Sequence, residues 1–216
     1  MYPAGNLFIR TPHGRLEAIL KEPTTKLTGA ALVLHPHPLG GGTMHNKVVF
    51  RAAAALNDAG LATLRVNFRS VGQSTGTHDE GRGEQDDARR ALDYLAEHYP
   101  NQPITLAGFS FGSYVGIQVG IKDARVATLI SIGTPVDKYD FAFLKDCRKP
   151  ILFVQGEHDE FGAVERLQAL VNDLQASGNS EVQLTVIPGA GHFFDESLDE
   201  LKRVITDWIK QQLPGA

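Results

Sequence analysis

The chain has 216 residues, of which 42% are hydrophobic and 21% charged, and its formal net charge is −4. This composition predicts a single globular domain, 1–216, and the lack of any block of like charge argues against nucleic acid or an anionic membrane surface as a partner. One cysteine excludes an internal disulfide, and no stretch resembles a membrane span or an N-terminal signal segment, so we expect a soluble protein of the cytoplasm.

Strand and helix patterns alternate along most of the chain. Two leading strand patterns flank a turn, and a continuous apolar run follows as a strand covered on both faces. The predicted strands are 7–10, 16–20, 30–34, 62–68, 104–107, 126–132, 151–155 and 182–187, and the predicted helices are 47–59, 84–98, 113–119, 163–176 and 198–213. This order predicts an α/β fold with a mostly parallel eight-stranded sheet, an antiparallel N-terminal strand and helices on both faces.

Ser110 lies in the pentapeptide Gly-Phe-Ser-Phe-Gly, between an apolar strand pattern and a helix pattern. A serine hydroxyl is a poor nucleophile unless a tight turn exposes it beside a base and beside donors for an oxyanion. A strand, a sharp turn and a helix provide that exposure, and such a turn tolerates only small residues two positions to either side. A turn without chemistry is the alternative, but the flanks favour a nucleophile.

Two further strand ends carry matching residues. Asp159 follows the strand 151–155, and His192 follows the last strand. Ligands of such sheets bind beyond the carboxyl ends of the strands, so these residues are expected to meet Ser110. The order serine, acid, histidine suits an α/β-hydrolase triad, in which His192 takes the serine proton and Asp159 holds the imidazole. Taken alone, Asp159 is equally suited to cap the next helix.

The loop after the first parallel strand reads His-Pro-His-Pro-Leu-Gly-Gly-Gly-Thr-Met from His35. In α/β-hydrolases this loop supplies one backbone N–H of the oxyanion hole, and the residue after the nucleophile, here Phe111, supplies the other. Because proline has no N–H, the loop donor is His37 or Leu39, and His37 is favoured by its distance from the strand end.

Two other interpretations of this loop are weaker. His35 and His37 do not make a metal site by themselves, and the chain has no cysteine cluster or H-E-x-x-H motif, so no metal is expected. The run Gly40-Gly41-Gly42 lacks the Lys-Ser/Thr and the glycine spacing of phosphate-binding loops. No cofactor is expected either.

Three motifs together resemble the hallmarks of a small bacterial α/β-hydrolase family. They are the loop from His35, the segment Asn-Phe-Arg-Ser-Val-Gly-Gln-Ser from Asn67, and the elbow around Ser110; the similarity extends to His192 and covers nearly the whole chain. The resemblance implies a serine esterase without a cap domain. The chain is also similar to the dienelactone-hydrolase group, although those enzymes use a cysteine where this chain has Ser110.

The short stretch 134–149, where caps are usually inserted, favours small acyl groups over long lipid chains. Two or three of seven phenylalanines are expected to face the substrate: Phe109, Phe111, Phe141, Phe143, Phe161, Phe193 and Phe194. The loop 70–83 is interpreted as solvated rather than as part of the pocket rim.

An ester hydrolase is the leading hypothesis for the function. The alternatives are a thioesterase or acyltransferase with the same residues, and a catalytically silent binding module. Monomer and homodimer remain open.

Overall fold

The structure, a computed structural model, describes residues 5–213 and contains one eight-stranded sheet. The strands are β1 Asn6–Thr11, β2 Gly14–Lys21, β3 Gly29–Leu34, β4 Leu61–Val66, β5 Ile104–Phe109, β6 Val126–Ile132, β7 Ile151–Gly156 and β8 Val182–Ile187. The α-helices are α1 Lys47–Asp58, α2 Arg82–His98, α3 Phe111–Gly120, α4 Val164–Ala176 and α5 Leu198–Gln212. The expectation about the N-terminal segment concerns in part residues 1–4, which lie outside this description.

The strand order is β1-β2-β4-β3-β5-β6-β7-β8, and β2 runs antiparallel to both of its neighbours. The strands from β4 to β8 along the sheet are parallel. Every residue of β3, β5 and β7 is buried, as expected for strands covered on both sides. The predicted α/β-hydrolase architecture, with its antiparallel N-terminal strand, is confirmed.

Two layers of helices cover the sheet. On one face α1 and α5 pack together over side chains such as Val33, Ile130 and Val154. On the other face α2, α3 and α4 cover a larger cluster that includes Leu32 and Phe153. Because successive residues of a strand point to opposite faces, each central strand contributes to both clusters.

Most predicted boundaries differ from the structure by one or two residues, and two of these differences have a clear structural cause. Helix α2 begins at Arg82 rather than at residue 84, because the Glu84 carboxylate accepts the backbone N–H of Gly81 at 2.8 Å and so caps the first turn. Strand β4 ends at Val66, since the N–H of Phe68 turns away from the sheet to His35. Neither cue is visible in the periodicity of the apolar residues.

Residues 133–150 connect β6 to β7 without forming a cap domain, as expected. This stretch contains a single 3₁₀ turn, Ala142–Asp146, and lies against α3 through stacked aromatic rings, including Tyr114 on Tyr139 with centroids 4.3 Å apart. Within residues 5–213, the helices all fall short of the length and apolar character that a bilayer crossing requires.

Candidate active site

Ser110 sits at the sharp turn between β5 and α3, with backbone angles φ 54° and ψ −119°. Positive φ is uncommon for a serine and marks a conformation that the surroundings enforce. A Cβ on Gly108 would come within 2.3 Å of the Gly112 carbonyl oxygen, and one on Gly112 within 2.5 Å of the His35 carbonyl oxygen. Both flanking positions therefore require glycine, as predicted from the pentapeptide.

The structure brings Ser110, His192 and Asp159 together from three different strand ends. Ser110 Oγ lies 3.0 Å from His192 Nε2, and His192 Nδ1 lies 2.9 and 2.8 Å from the two carboxylate oxygens of Asp159. A carboxylate can only accept, so the proton of the neutral imidazole is on Nδ1 and Nε2 is left to accept from the serine. Asp159 and His192 are buried, whereas Ser110 is half-buried.

The loops that carry Asp159 and His192 are joined by backbone hydrogen bonds. The N–H of Glu157 donates to the Ile187 carbonyl at 3.1 Å, and that of His158 donates to the Ala190 carbonyl at 2.8 Å. In return the Glu157 carboxylate accepts the N–H of Gly189 at 2.7 Å. The two loops therefore form one hydrogen-bonded unit.

Asp159 has a second partner in its own loop. One carboxylate oxygen accepts the backbone N–H of Phe161 at 2.9 Å, which closes a local turn. Asp159 therefore does not cap the next helix, the alternative that the sequence left open, because α4 begins only at Val164. The Phe161 ring packs on the His192 ring with centroids 4.6 Å apart, and Phe109 contacts the same imidazole at 4.9 Å. These contacts fix the orientation of the histidine.

The loop after β3 makes a 3₁₀ turn, Pro38–Gly40. The loop carries His37 and Leu39, the two residues whose backbone N–H could stabilise an oxyanion. The N–H of Leu39 donates to the side chain of His37, with 3.2 Å between the nitrogen atoms. The N–H groups of His37 and Phe111 make no hydrogen bond to another residue in the range 5–213. Of the two residues that the sequence left open, Leu39 is therefore already engaged.

His35 anchors this loop and is fully buried. Its Nε2 accepts the backbone N–H of Phe68 at 3.0 Å, and its Nδ1 lies 2.6 Å from the carbonyl oxygen of Pro36, to which it donates. Burial lowers the pKa of His35 to about 4, because the cation would be removed from water. Both ring nitrogens are thus used in structure, which leaves no lone pair for a metal.

Asn67 supports the same loop from the end of β4. Its side-chain oxygen accepts the N–H of Met44 at 2.8 Å, while its amide nitrogen donates to Glu17 at 2.9 Å. The Ser74 hydroxyl donates to the Asn67 carbonyl at 2.7 Å. The segment from Asn67 that resembled a family motif is therefore a scaffold for the loop rather than a part of the cavity wall.

The loop 70–83 also contacts the loop after β3, so its interpretation as merely solvated was incomplete. His78 is largely buried, and its ring lies 5.0 Å from that of His37 and 5.8 Å from that of Phe111, between centroids. Its Nδ1 is 2.8 Å from a Glu84 oxygen but lacks the alignment of a hydrogen bond. Burial, with a further contribution from His78, lowers the pKa of His37 and keeps its imidazole neutral.

A cavity of about 490 Å³ opens in front of Ser110. Its walls come from the loop after β3, the elbow, the β6–β7 connection and the loops of Asp159 and His192. The residues that line it are Pro36, His37, Gly40, Gly41, Gly42, Asn46, Ser110, Phe111, Pro135, Lys138, Tyr139, Phe161, His192 and Phe193. Three of the seven candidate phenylalanines are among them, and Phe109 and Phe194 are core residues instead.

Several residues at the site were missed by sequence reasoning. Pro135, Lys138 and Tyr139 line the cavity because they follow β6, a position that the strand-end rule indicates but that carried no familiar motif. His78 in the loop 70–83 and Glu84 in the first turn of α2 approach the site from a distant part of the sequence, and no local signal indicates that contact. In the part of the chain from Gly5 to Leu213, no group of three histidine, cysteine or carboxylate side chains is arranged to hold a metal ion.

Comparison with known proteins places this chain in a family. Residues 29–209 match the model of the alpha/beta hydrolase domain. A solved structure of an alpha-beta serine hydrolase homologue from Coxiella burnetii is 39% identical, with a TM-score of 0.89 over 97% of this chain and 99% of that one. A serine hydrolase without a lid from Xanthomonas campestris is 33% identical, with a TM-score of 0.89 over 100% and 99% of the chains. An uncharacterized protein of Rickettsia prowazekii is 38% identical over 94% of this chain and 87% of its own length. The chain therefore belongs to the alpha/beta hydrolase family.

Proposed function

We propose that the protein is a serine hydrolase that cleaves carboxylic esters of small acyl groups. The observation that carries this proposal is the continuous hydrogen-bonded row from Ser110 Oγ through His192 to Asp159, with distances of 2.8 to 3.0 Å. A serine so placed has a base within reach of its proton, and the base has an acceptor that holds its tautomer. The finer relation to dienelactone-hydrolase enzymes stays a prediction.

In the proposed reaction Ser110 Oγ attacks the ester carbonyl carbon while His192 Nε2 takes the serine proton. The imidazolium then gives this proton to the departing alcohol oxygen as the carbon–oxygen bond breaks, which leaves an acyl group on Ser110. A water molecule repeats the sequence, its proton passing through His192, and releases the carboxylic acid. Asp159 stays ionised throughout and stabilises the imidazolium.

We propose the backbone N–H groups of His37 and Phe111 as the donors that stabilise the oxyanion. Their availability supports this assignment, because neither donates to another described residue, whereas the N–H of Leu39 donates to His37. Such donors act most strongly when the protein fixes them before the charge develops. The hydrogen bonds of His35 and Asn67 to this loop supply that rigidity.

The size of the substrate is inferred from the cavity. About 490 Å³ is within the range of pockets that take small molecules, and the described connection between β6 and β7 forms no cap over it. The apolar rings of Phe111, Phe161 and Phe193 suit a short acyl chain or a small aromatic group. We therefore expect a small-molecule ester as substrate and faster turnover of short chains.

The test combines covalent labelling with a substrate panel. A fluorophosphonate probe should modify the wild-type protein and leave Ser110→Ala unmodified, with the adduct assigned to Ser110 by mass spectrometry. The p-nitrophenyl esters of acetate and butyrate should be cleaved faster than palmitate, and Ser110→Ala should lose this activity while keeping the wild-type Tm. Ser113→Ala is the matched control, since this neighbouring hydroxyl donates to the Ser110 carbonyl and takes no part in the proposed row.

Each alternative has its own result in this experiment. A protein that takes no fluorophosphonate label and cleaves no ester is a binding module. Labelling of Ser110 with faster turnover of matched thioesters, or with transfer to an added alcohol in preference to water, shifts the assignment to a thioesterase or an acyltransferase. Faster turnover of palmitate contradicts the proposed preference for short chains.

A further inference from the structure

Lys138 lies in the connection between β6 and β7 and lines the cavity in front of Ser110. Its ammonium is 5.6 Å from the centroid of the Phe161 ring. An aromatic face attracts a cation at this distance. The same ring contacts His192, so the ammonium is held two ring contacts from the candidate base.

In the part of the chain that the structure describes, Lys138 forms no close ion pair, although its charge contributes to lowering the pKa of the adjacent Asp137. Within residues 5–213, no carboxylate oxygen lies within 4.0 Å of its Nζ. The adjacent Asp137 is engaged elsewhere, because its carboxylate pairs with Arg166 and accepts the backbone N–H of Ala163 at 2.7 Å. Asp140 accepts the N–H of Ala142 at 2.8 Å.

The rest of the cavity wall provides no compensating charge. Among the residues from Gly5 to Leu213 that line the cavity, there is no aspartate or glutamate. His37 also lines it and is neutral, since burial lowers its pKa. Among the described residues that line the cavity, Lys138 is thus the lysine that brings a positive charge, and no carboxylate lies beside it in the wall.

Lys47 is a second lysine near the mouth of the cavity, and it differs from Lys138. Its ammonium is 6.0 Å from the ring centroid of Phe193, another lining residue. Unlike Lys138, however, Lys47 forms an ion pair with Asp195. The two lysines therefore differ in one respect near the cavity: Lys47 has an ion-pair partner and Lys138 has none among the described residues.

We propose that Lys138 selects esters that carry an anionic group, such as a carboxylate, in addition to the ester that is cleaved. This inference rests on the proposed function, because it names the class of substrate for that site. An anion beside Lys138 would gain an ion pair that no residue of the described chain supplies. A neutral ester of the same length would gain only apolar contacts with the rings.

The experiment uses matched ester pairs with the charge on either side of the scissile bond. On the acyl side, p-nitrophenyl hydrogen adipate is compared with p-nitrophenyl hexanoate. The adipate spacing is long enough to disfavour attack of the carboxylate on its own ester. On the alcohol side, 4-carboxyphenyl butyrate is compared with 4-carbamoylphenyl butyrate. The ratio of kcat/KM within each pair is measured for wild type, Lys138→Met and Lys138→Glu, so that the intrinsic difference between leaving groups cancels.

In at least one pair the wild-type ratio should favour the anion relative to Lys138→Met by about two- to fivefold, the range expected for a single exposed ion pair. Lys138→Glu should lower the ratio further, below that of Lys138→Met. Added NaCl should reduce the wild-type ratio, because mobile ions screen the attraction. Lys47→Met is the matched control and should keep the wild-type ratio. The pair that responds tells whether the anion belongs to the acyl or the alcohol part.

Equal ratios in wild type, Lys138→Met and Lys138→Glu for both pairs overturn this inference. If the neutral esters are still cleaved, the proposed function survives that result. Absence of turnover for every ester, with no labelling of Ser110, overturns the proposed function and this inference with it. Because Lys138 is exposed, its variants are expected to fold, and their Tm values check this.

Discussion

The imidazole of His35 joins the ends of two strands by accepting the backbone N–H of Phe68 at 3.0 Å. The same ring donates to the carbonyl of Pro36, so only the neutral tautomer with its proton on Nδ1 satisfies both contacts. Protonation would place a second N–H against the donor of Phe68. The loop that carries the proposed oxyanion donor is therefore secured by a group that must stay uncharged.

This relationship predicts a loss of stability in acid. The pKa of His35 is about 4 in the folded protein and 6.5 in the reference state, so the unfolded chain binds more protons between these values. The free energy of unfolding should then fall as the pH is lowered from 6.5 towards 4, with a share of roughly 2 kcal/mol from His35 between pH 8 and pH 5. Urea unfolding of wild type and His35→Asn at both pH values measures this share.

The pH dependence should be smaller in His35→Asn, which cannot titrate. His45→Asn is the control, since His45 is exposed and should leave the wild-type dependence unchanged. Equal pH dependence in wild type and His35→Asn would show that His35 does not couple folding to protonation.

Substitution of a single residue by proline can distinguish the two loop donors. His37 has φ −52°, close to the value that proline imposes, so His37→Pro removes the N–H with little change of the backbone. The loss of one oxyanion donor should lower kcat by about 10²- to 10³-fold. His37→Ala keeps the N–H and removes the ring, and it should retain far more activity. The result that contradicts the assignment is full activity in His37→Pro together with a large loss in Leu39→Pro.

Asp159→Asn tests the proposed role of the acid. The asparagine oxygen can still accept the N–H of Phe161, but its NH₂ would face the Nδ1 proton of His192 and favour the wrong tautomer. We expect kcat to fall by about 10⁴-fold without loss of the fold. Glu157→Gln, two residues away, should cost little, because a glutamine can still accept the N–H of Gly189. Similar losses in the two variants would argue against Asp159 as the partner of His192.

Lys149 provides a test of stability away from the site. Its ammonium donates to the carbonyl oxygens of Gly120, Asp123 and Val126 at 2.7, 2.6 and 2.7 Å. Lys149→Met leaves these acceptors without their charged donor and should lower the free energy of unfolding by about 2 to 4 kcal/mol. Lys122→Met, in the connection between α3 and β6, is the control and should change the free energy of unfolding far less, because Lys122 is exposed. A loss of less than about 1 kcal/mol, the contribution of one neutral hydrogen bond, would show that water replaces the ammonium.

The strand ends could be predicted because apolar runs and turn residues are local signals. Ser110, Asp159 and His192 each follow such a run, so the order of strands in a parallel sheet was enough to expect them at one edge. The tight elbow was also predictable, since Gly108 and Gly112 report a close approach of the backbone.

Contacts between distant loops could not be predicted in the same way. His78 reaches the ring of His37 only because the loop 70–83 folds back over the loop after β3, and no periodicity encodes that path. Glu84 was predicted only as the start of a helix, yet its side chain is buried and caps that helix. Lys138 was not distinguished from other surface lysines, because its unpaired state depends on where Arg166 holds Asp137.

The position of β8 at the edge of the sheet separates local loss of the site on heating from unfolding of the whole domain. Ser110 follows β5, which is flanked by strands on both sides, whereas His192 follows β8, which is bonded to β7 alone. Edge elements open at a lower free energy than the centre of a domain. Fraying of this border strand would carry His192 away while most of the sheet stays intact, so we expect the proposed activity to be lost at a lower temperature than the fold and to return on cooling.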